Sequence, residues 1–307
     1  MDFGVHLPLI DFGTPASLHG LKLYADSAAG LGYSYLCAND HLLFARPWLD
    51  GATALAAVIE ESQDMTLATT VSLPVIRGPA QLAKTLTAID ILSDGRLVVG
   101  VGPGSSARDY SAAGIPFDER WSRFGESIAV LRALLGGDQT FNGAHYSSDG
   151  IDLEPRPTQR PTLPIWVASW GSQAGLRRVA RTGDGWIASA YNTSPARFGE
   201  GLTSLGEALA QEGRAGPFPN AIATAWLYVT EDTRRAERML ADVLAPLLNR
   251  PVEALRSLSL PIGPAEVCAE RLTAFSEAGA QRLFVWPLRD EVRQLELFRE
   301  RVTPMLH

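Results

Sequence analysis

Short apolar runs alternate along the whole chain with stretches whose apolar residues recur every three or four positions. The runs are FGVHLPL from Phe3, YSYLCA from Tyr33, MTLATTVSL from Met65, RLVVGVG from Arg96, PIWVAS from Pro164, GWIASA from Gly185, IATAWLYVT from Ile222 and RLFVWPL from Arg282. Their near-continuous apolar character is that of strands buried on both faces of a parallel sheet. Between and after them the helical spacing is plain. Leu82, Leu86 and Ile89 share a face, as do Phe198, Leu202, Leu205 and Leu209. Trp121, Phe124, Ile128, Leu131 and Leu135 form a third apolar face, with Glu119 and Arg123 as an i,i+4 pair away from it. Eight strands, each followed by a helical segment, predict an α/β fold of the (β/α)8 TIM-barrel class. An open doubly wound sheet usually has fewer strands and closes no ring.

The punctuation agrees with that pattern. Pro79 stands at a first helical position, SDGR at 93–96 is a turn before a strand, and Gly279 follows the helix that carries Cys268, Leu272 and Phe275. Two stretches lack strong periodicity, 136–163 and 246–263. The first is rich in Gly, Pro, Ser and Asp and is expected to be an insertion after the fourth βα unit, where long loops often act as lids. With no repeat, low-complexity tract or linker, residues 1–307 are expected to form a single domain.

Composition narrows the function. A net charge of −7 and a pI near 5.3 argue against nucleic acid, which calls for a basic footprint. The first residues lack the charged and apolar regions of a secretory signal, and no run is long and apolar enough to span a membrane, so a cytoplasmic protein is expected. Cys37 and Cys268 form neither a disulfide framework nor a zinc pattern and are expected to be buried thiols. Of His6, His19, His41, His145 and His307, only His6 and His41 fall on predicted strands near the core or rim, and no HxH or HExxH pair exists.

In a barrel of this class the C-terminal strand ends form the active-site face. Asn39, Asp40 and His41 fall there after the second strand, Ser72 after the third, PGSS with Gly104 and Ser105 after the fourth, Ser169 to Gln173 after the fifth, and SAYN at 189–192 after the sixth. The segment PIWVASWGSQAGLRRVARTGDGW runs from a strand through a small-residue turn into a helix. Its free amides at Ser172, Gln173 and Ala174, behind the turn at Gly171, suit an anion such as phosphate, although Ser172 could equally be an ordinary N-cap. GVGPGSS lacks the glycine spacing of a dinucleotide fingerprint and reads as a glycine turn that lets backbone approach a flat ligand, or as a plain tight turn.

NDHL after the second strand, GPAQLAKTLTAIDILSDGRLVVGVGPG at 78–104, GIPFDERWSRFGESIAVLRALL at 114–135 and the segment at 164–186 together resemble the luciferase-like monooxygenase family of flavin- or deazaflavin-dependent barrel oxidoreductases. The resemblance implies FMN or coenzyme F-420 across the C-terminal mouth, with its phosphate at Gly171, Ser172 and Gln173. It implies a bulge near Thr70, Val71 and Ser72 behind the ring, in relatives often with a non-proline cis peptide. It also places His41 beside the reactive ring as a hydrogen-bond donor or acid/base, with Asp40 orienting it or closing a salt bridge behind it; Asn39, Gly104, Ser105 and Ser169 complete the expected cradle. Deazaflavin-dependent sugar-phosphate dehydrogenases of this family carry a glutamate where this chain has Ser105, which sets their acid/base chemistry and substrate apart.

The implied activity is oxygenation of a small organic substrate with reduced FMN, supplied by a separate flavin reductase, or hydride transfer with F-420. Arg46, Arg77 and Arg108 are candidates for the acidic tail of F-420, and Leu42, Phe44, Trp48 and Ile115 for an apolar substrate wall. Two rivals stand beside this reading: a flavin-binding homologue without turnover, and a metal-dependent barrel hydrolase using His6, His41 and Asp40. Outer helices of such barrels often pair, which admits a homodimer, and periodicity does not show which helices would meet.

Overall fold

The computed structural model describes residues 1–136 and 140–306; His307 and positions 137–139 of the expected insertion lie outside them. The strands are β1 (Asp2–His6), β2 (Tyr35–Ala38), β3 (Thr66–Ser72), β4 (Leu97–Val101), β5 (Ile165–Ala168), β6 (Gly185–Ser189), β7 (Asn220–Val229), β8 (Ile262–Gly263) and β9 (Arg282–Pro287). All pairings between them are parallel. β1 through β7 pair in sequence, β9 pairs with both β7 and β1, and the ring closes as an eight-stranded barrel. The two-residue β8 adds to the end of β7 outside the ring.

The crossovers use α1 (Leu18–Gly30), α2 (Gly51–Ala57), α3 (Pro74–Arg77), α4 (Pro79–Leu92), α5 (Ala107–Ala112), α6 (Arg120–Gly136), α7 (Gln173–Thr182) and α8 (Pro195–Gln211), followed by further helices to the C-terminus. Their starts follow from the local sequence. Ser17, Ser172 and Ser194 each accept an amide of the first turn, and Pro79 opens α4 where its missing N–H costs nothing. Gly279, at φ +97, takes the left-handed position just past the helix Ala265–Glu277.

Two layers of core follow from the strand alternation. Inside the ring, Cys37, Ala68, Trp166, Ile187, Ala221, Ala223 and Phe284 fill the barrel. Outside it, Trp186 of β6 stacks on Phe198 of α8 at 4.8 Å, and Phe198 meets Phe275 edge-on. A fully buried side chain of this kind contributes roughly 1.5–3 kcal/mol. Both cysteines are free and buried, and Glu119 pairs with Arg123 at 2.6 Å as the spacing predicts.

Two expectations need correction. Trp121 does not join the buried face of α6: Phe124, Ile128, Leu131 and Leu135 do, while Trp121 is 46% exposed in the first helical turn, where α6 has already risen above the barrel rim. The stretch 246–263 is also less irregular than expected. It holds the end of helix Ala245–Leu248, helix Val252–Arg256 and β8, and Pro246 and Pro251 keep its helices too short to show a period.

Candidate active site

The C-terminal ends of β2 to β7 surround a cavity of about 400 Å³. Gly102, Ala168, Ile187 and Ala223, contributed by four successive strand segments, give it a wall of small and flat side chains. A Cβ on Gly102 would stand 2.6 Å from Cγ2 of Val71 and 3.6 Å from Cβ of Ala168, so the wall is open only because this position carries no side chain.

The polar edge begins at Asn39, Asp40 and His41, all of which line the cavity. Successive side chains in extended backbone diverge, and Asp40 and His41 go to different partners. His41 Nδ1 lies 2.9 Å from Asp109 Oδ2, and the Leu43 amide donates to Asp109 Oδ1 at 2.8 Å. Burial works to raise the Asp109 carboxyl pKa, but the hydrogen bonds from His41 and from the Leu43 and Leu42 amides outweigh it and hold the group below its ordinary value. An ionised Asp109 accepts Nδ1–H, which leaves Nε2 as the atom of His41 free for a ligand. Phe44 and Trp48 pack on the ring at 4.6 and 4.7 Å and fix its plane.

Asp40 does not orient His41. Both of its oxygens are bound by Arg77, Oδ1 at 2.5 Å and Oδ2 at 3.1 Å, and Oδ2 also accepts the Leu73 amide. Of the two roles expected for Asp40, the salt bridge behind the histidine is the one the structure contains. Arg77 bridges on to Asp50 at 2.5 Å, so it is committed to these carboxylates and is not a free cation of the mouth. Arg46 stacks over Phe12, and Arg108 is exposed on α5.

A hydrogen-bonded chain backs Asn39. The Thr224 amide donates to His6 Nε2 at 3.2 Å; a neutral His6 then carries its proton on Nδ1, 3.3 Å from Thr70 Oγ1, which donates to Asn39 Oδ1 at 3.1 Å. The Asn39 oxygen is thus engaged and its amide nitrogen is left to meet a ligand. Burial drives the His6 pKa down from 6.5 to about 3, against a smaller raising effect from Asn39, so the ring is neutral at pH 7. The Thr70–Val71 peptide is cis, and the pairing of β3 with β4 shifts register between Thr69 and Ser72, where the bulge was expected.

Thr70, Val71, Gly104, Ser105 and Ser169 line the cavity, whereas Ser72, Gly171, Ser172 and Gln173 do not. Ser72 is buried and accepts the Gly102 amide through its carbonyl. Gly171 to Gln173 lie just beyond Trp170, where Ser172 Oγ caps the Gly175 amide at 3.2 Å and Ser169 Oγ accepts the Gly171 amide. Trp170 and Tyr191, placed on the rim by the sequence, do line the cavity, whereas sequence reasoning missed Arg120, Trp121 and Thr224 as wall residues. Thr224 had no visible signal. It sits at φ +54, unusual for a β-branched residue, where β7 shifts register against β9. Trp121 had one, since it stands near a predicted helix start on the rim side.

Comparison with known proteins agrees with this geometry. A profile of the family described as luciferase-like monooxygenase matches residues 1–282. The chain is 26% identical to an F-420-dependent hydroxymycolic acid dehydrogenase of Mycobacterium tuberculosis, over 93% of this chain and 84% of that protein. It is 29% identical to an F-420-dependent glucose-6-phosphate dehydrogenase of Intrasporangium calvum, over 61% of this chain but only 58% of that enzyme. In fold it superposes on the monooxygenase RslO1 of Streptomyces bottropensis with a TM-score of 0.86 at 22% identity, covering 99% of both chains. An F-420-dependent secondary alcohol dehydrogenase in complex with an F-420–acetone adduct gives a TM-score of 0.85 at 18% identity, over 100% of this chain and 99% of that one. The protein belongs to the luciferase-like monooxygenase family.

Proposed function

We propose that the protein is an oxidoreductase that holds F-420 or FMN in the cavity at the barrel mouth, and that hydride transfer with F-420 to or from a small organic substrate is its reaction. The observation that carries this is the pairing of a flat wall at Gly102, Ala168 and Ala223 with one acid/base group, His41, held from behind by Asp109. The residues fit a planar ring, because any side chain at Gly102 would fill the space the ring needs. F-420, when bound, supplies a two-electron hydride acceptor or donor that reacts poorly with oxygen. The work of the chain would be to orient the substrate hydroxyl at His41 Nε2, which would take its proton in one direction and return it in the other, with Asp109 holding the ring from Nδ1. Asn39 donates to the ligand from its amide, and the amides ahead of α7 offer a place for phosphate.

The F-420 dependence of the two sequence relatives supports the deazaflavin. Their substrates do not carry over, and the absence of a carboxylate at Ser105 speaks against a sugar-phosphate dehydrogenase. Oxygenation with reduced FMN, delivered by a separate reductase, is the second reading, favoured by the family match. Among the described residues no helix is long and apolar enough to cross a membrane, which is compatible with a cytoplasmic enzyme. His41→Ala tests the assignment: turnover should fall about 100-fold to 10,000-fold, the range of positioned acid/base groups, while cofactor affinity changes little. Undiminished turnover would remove His41 from the chemistry.

A further inference from the structure

Arg120 is the one arginine or lysine among the residues lining the cavity. The one carboxylate of that lining, Asp40, is engaged by Arg77, and Asp109, which stands behind His41 outside the lining, is engaged by that ring; Arg120 takes part in none of the ion pairs among the described residues. Its guanidinium lies 4.1 Å from the centre of the Phe117 ring and 5.5 Å from that of Trp121. One N–H donates to the Phe117 carbonyl at 3.0 Å, and the remaining donors of its fork have no carboxylate to meet. Arg178 of α7 stacks 4.8 Å from the same Trp121 ring, and burial, with Arg181 nearby, makes its charge harder to hold. Two half-buried guanidiniums without a counter-ion, in a chain of net charge −7, are an arrangement that an arriving anion stabilises. Trp121 and Trp170, 46% and 55% exposed, supply apolar wall beside them.

We propose that Arg120 is the anion subsite of this cavity and takes a carboxylate or phosphate carried on a ring-bearing ligand whose apolar part rests against Trp121 and Trp170. This rests on the reading that the cavity holds a redox cofactor. The anionic group belongs either to the side chain of that cofactor or to the substrate, and the chemistry at Arg120 is the same in both cases.

Two titrations distinguish the sources, each on the wild type, Arg120→Gln and Arg120→Lys, with circular dichroism confirming the fold. In the first, fluorescence reports binding of FMN against riboflavin, and of F-420 against its phosphate-free deazaflavin chromophore. In the second, calorimetry reports binding of 2-naphthoate against 2-naphthamide, to protein saturated with whichever cofactor binds or to the protein alone. Loss of a charge-assisted hydrogen bond in Arg120→Gln should weaken the charged member of one pair about tenfold to 100-fold and leave its neutral partner unchanged. Arg120→Lys, which keeps the charge and loses the planar fork, should fall between. Selective loss in the first titration assigns the anion to the cofactor, and selective loss in the second assigns it to the substrate. Equal loss for charged and neutral probes, or no loss in either titration, overturns the subsite. Wild-type protein that binds neither cofactor refutes the cofactor reading instead, and the naphthoate pair still decides Arg120.

Discussion

Lowering the pH from 7 to 5 should destabilise the wild-type protein more than a His6→Gln variant. His6 is 1% exposed, stacked on Trp286 at 4.4 Å, and accepts the Thr224 amide on Nε2. Burial holds its native pKa at about 3, against 6.5 in the unfolded chain. Between those values the unfolded state binds a proton that the native state refuses. The contribution of this group to stability is therefore complete above about pH 6.5, declines as the pH falls, and is exhausted near pH 3. At pH 5 the deficit amounts to roughly 2 kcal/mol, growing to the order of 5 kcal/mol at the acid limit. Glutamine can keep an acceptor for Thr224 but does not titrate. The variant should start about 1–3 kcal/mol less stable at pH 7, from lost stacking and a disturbed buried hydrogen bond, and the gap should close by roughly 2 kcal/mol at pH 5. Urea unfolding followed by tryptophan fluorescence at pH 7, 6 and 5 and fixed ionic strength measures it. A gap that stays constant with pH would refute a neutral, desolvated His6.

Two further outcomes follow from the same geometry. Asp109→Asn removes the carboxylate that holds His41 Nδ1–H, so kcat should drop about tenfold or more and the pH profile of kcat should shift, with cofactor affinity nearly unchanged; an unaltered profile would make Asp109 merely structural. Arg77→Ala leaves Asp40 without its partner in a nearly dry site and should cost about 3 kcal/mol in thermal or chemical denaturation, whereas a loss below about 0.5 kcal/mol would class the bridge with ordinary surface pairs.

The barrel was legible because a parallel strand buried on both faces reads as an apolar run: all eight runs became ring strands. The helix faces at Leu82 and Phe198 were legible for the corresponding reason of period. Much of the polar edge was visible as polar residues at strand ends, and Asn39, His41, Ser105 and Ser169 do reach the cavity, whereas at the third strand Thr70, expected only from the family resemblance, lines it and Ser72 does not. Pairing was not legible. Asp40 is adjacent to His41 in sequence, yet Asp109, 68 positions away, makes the contact, because the neighbouring side chain diverges and α5 folds back over the rim. Trp121 fits a helical period and still faces the mouth, since periodicity gives the angle around a helix and not the height at which the helix leaves the core. Arg77 was a candidate for the acidic tail of F-420 until two distant aspartates were found beside it.

The central claim, that this cavity holds a planar redox cofactor, is tested most directly by titrating the purified protein and its Gly102→Val variant with F-420 and with FMN. The account predicts that the wild type binds at least one of them with a Kd below about 100 μM, worth about 5.5 kcal/mol, and that the folded variant, whose added side chain invades the space beside Val71 and Ala168, binds neither. Absence of binding by the wild type up to that concentration, or equal affinity in both proteins, would contradict it.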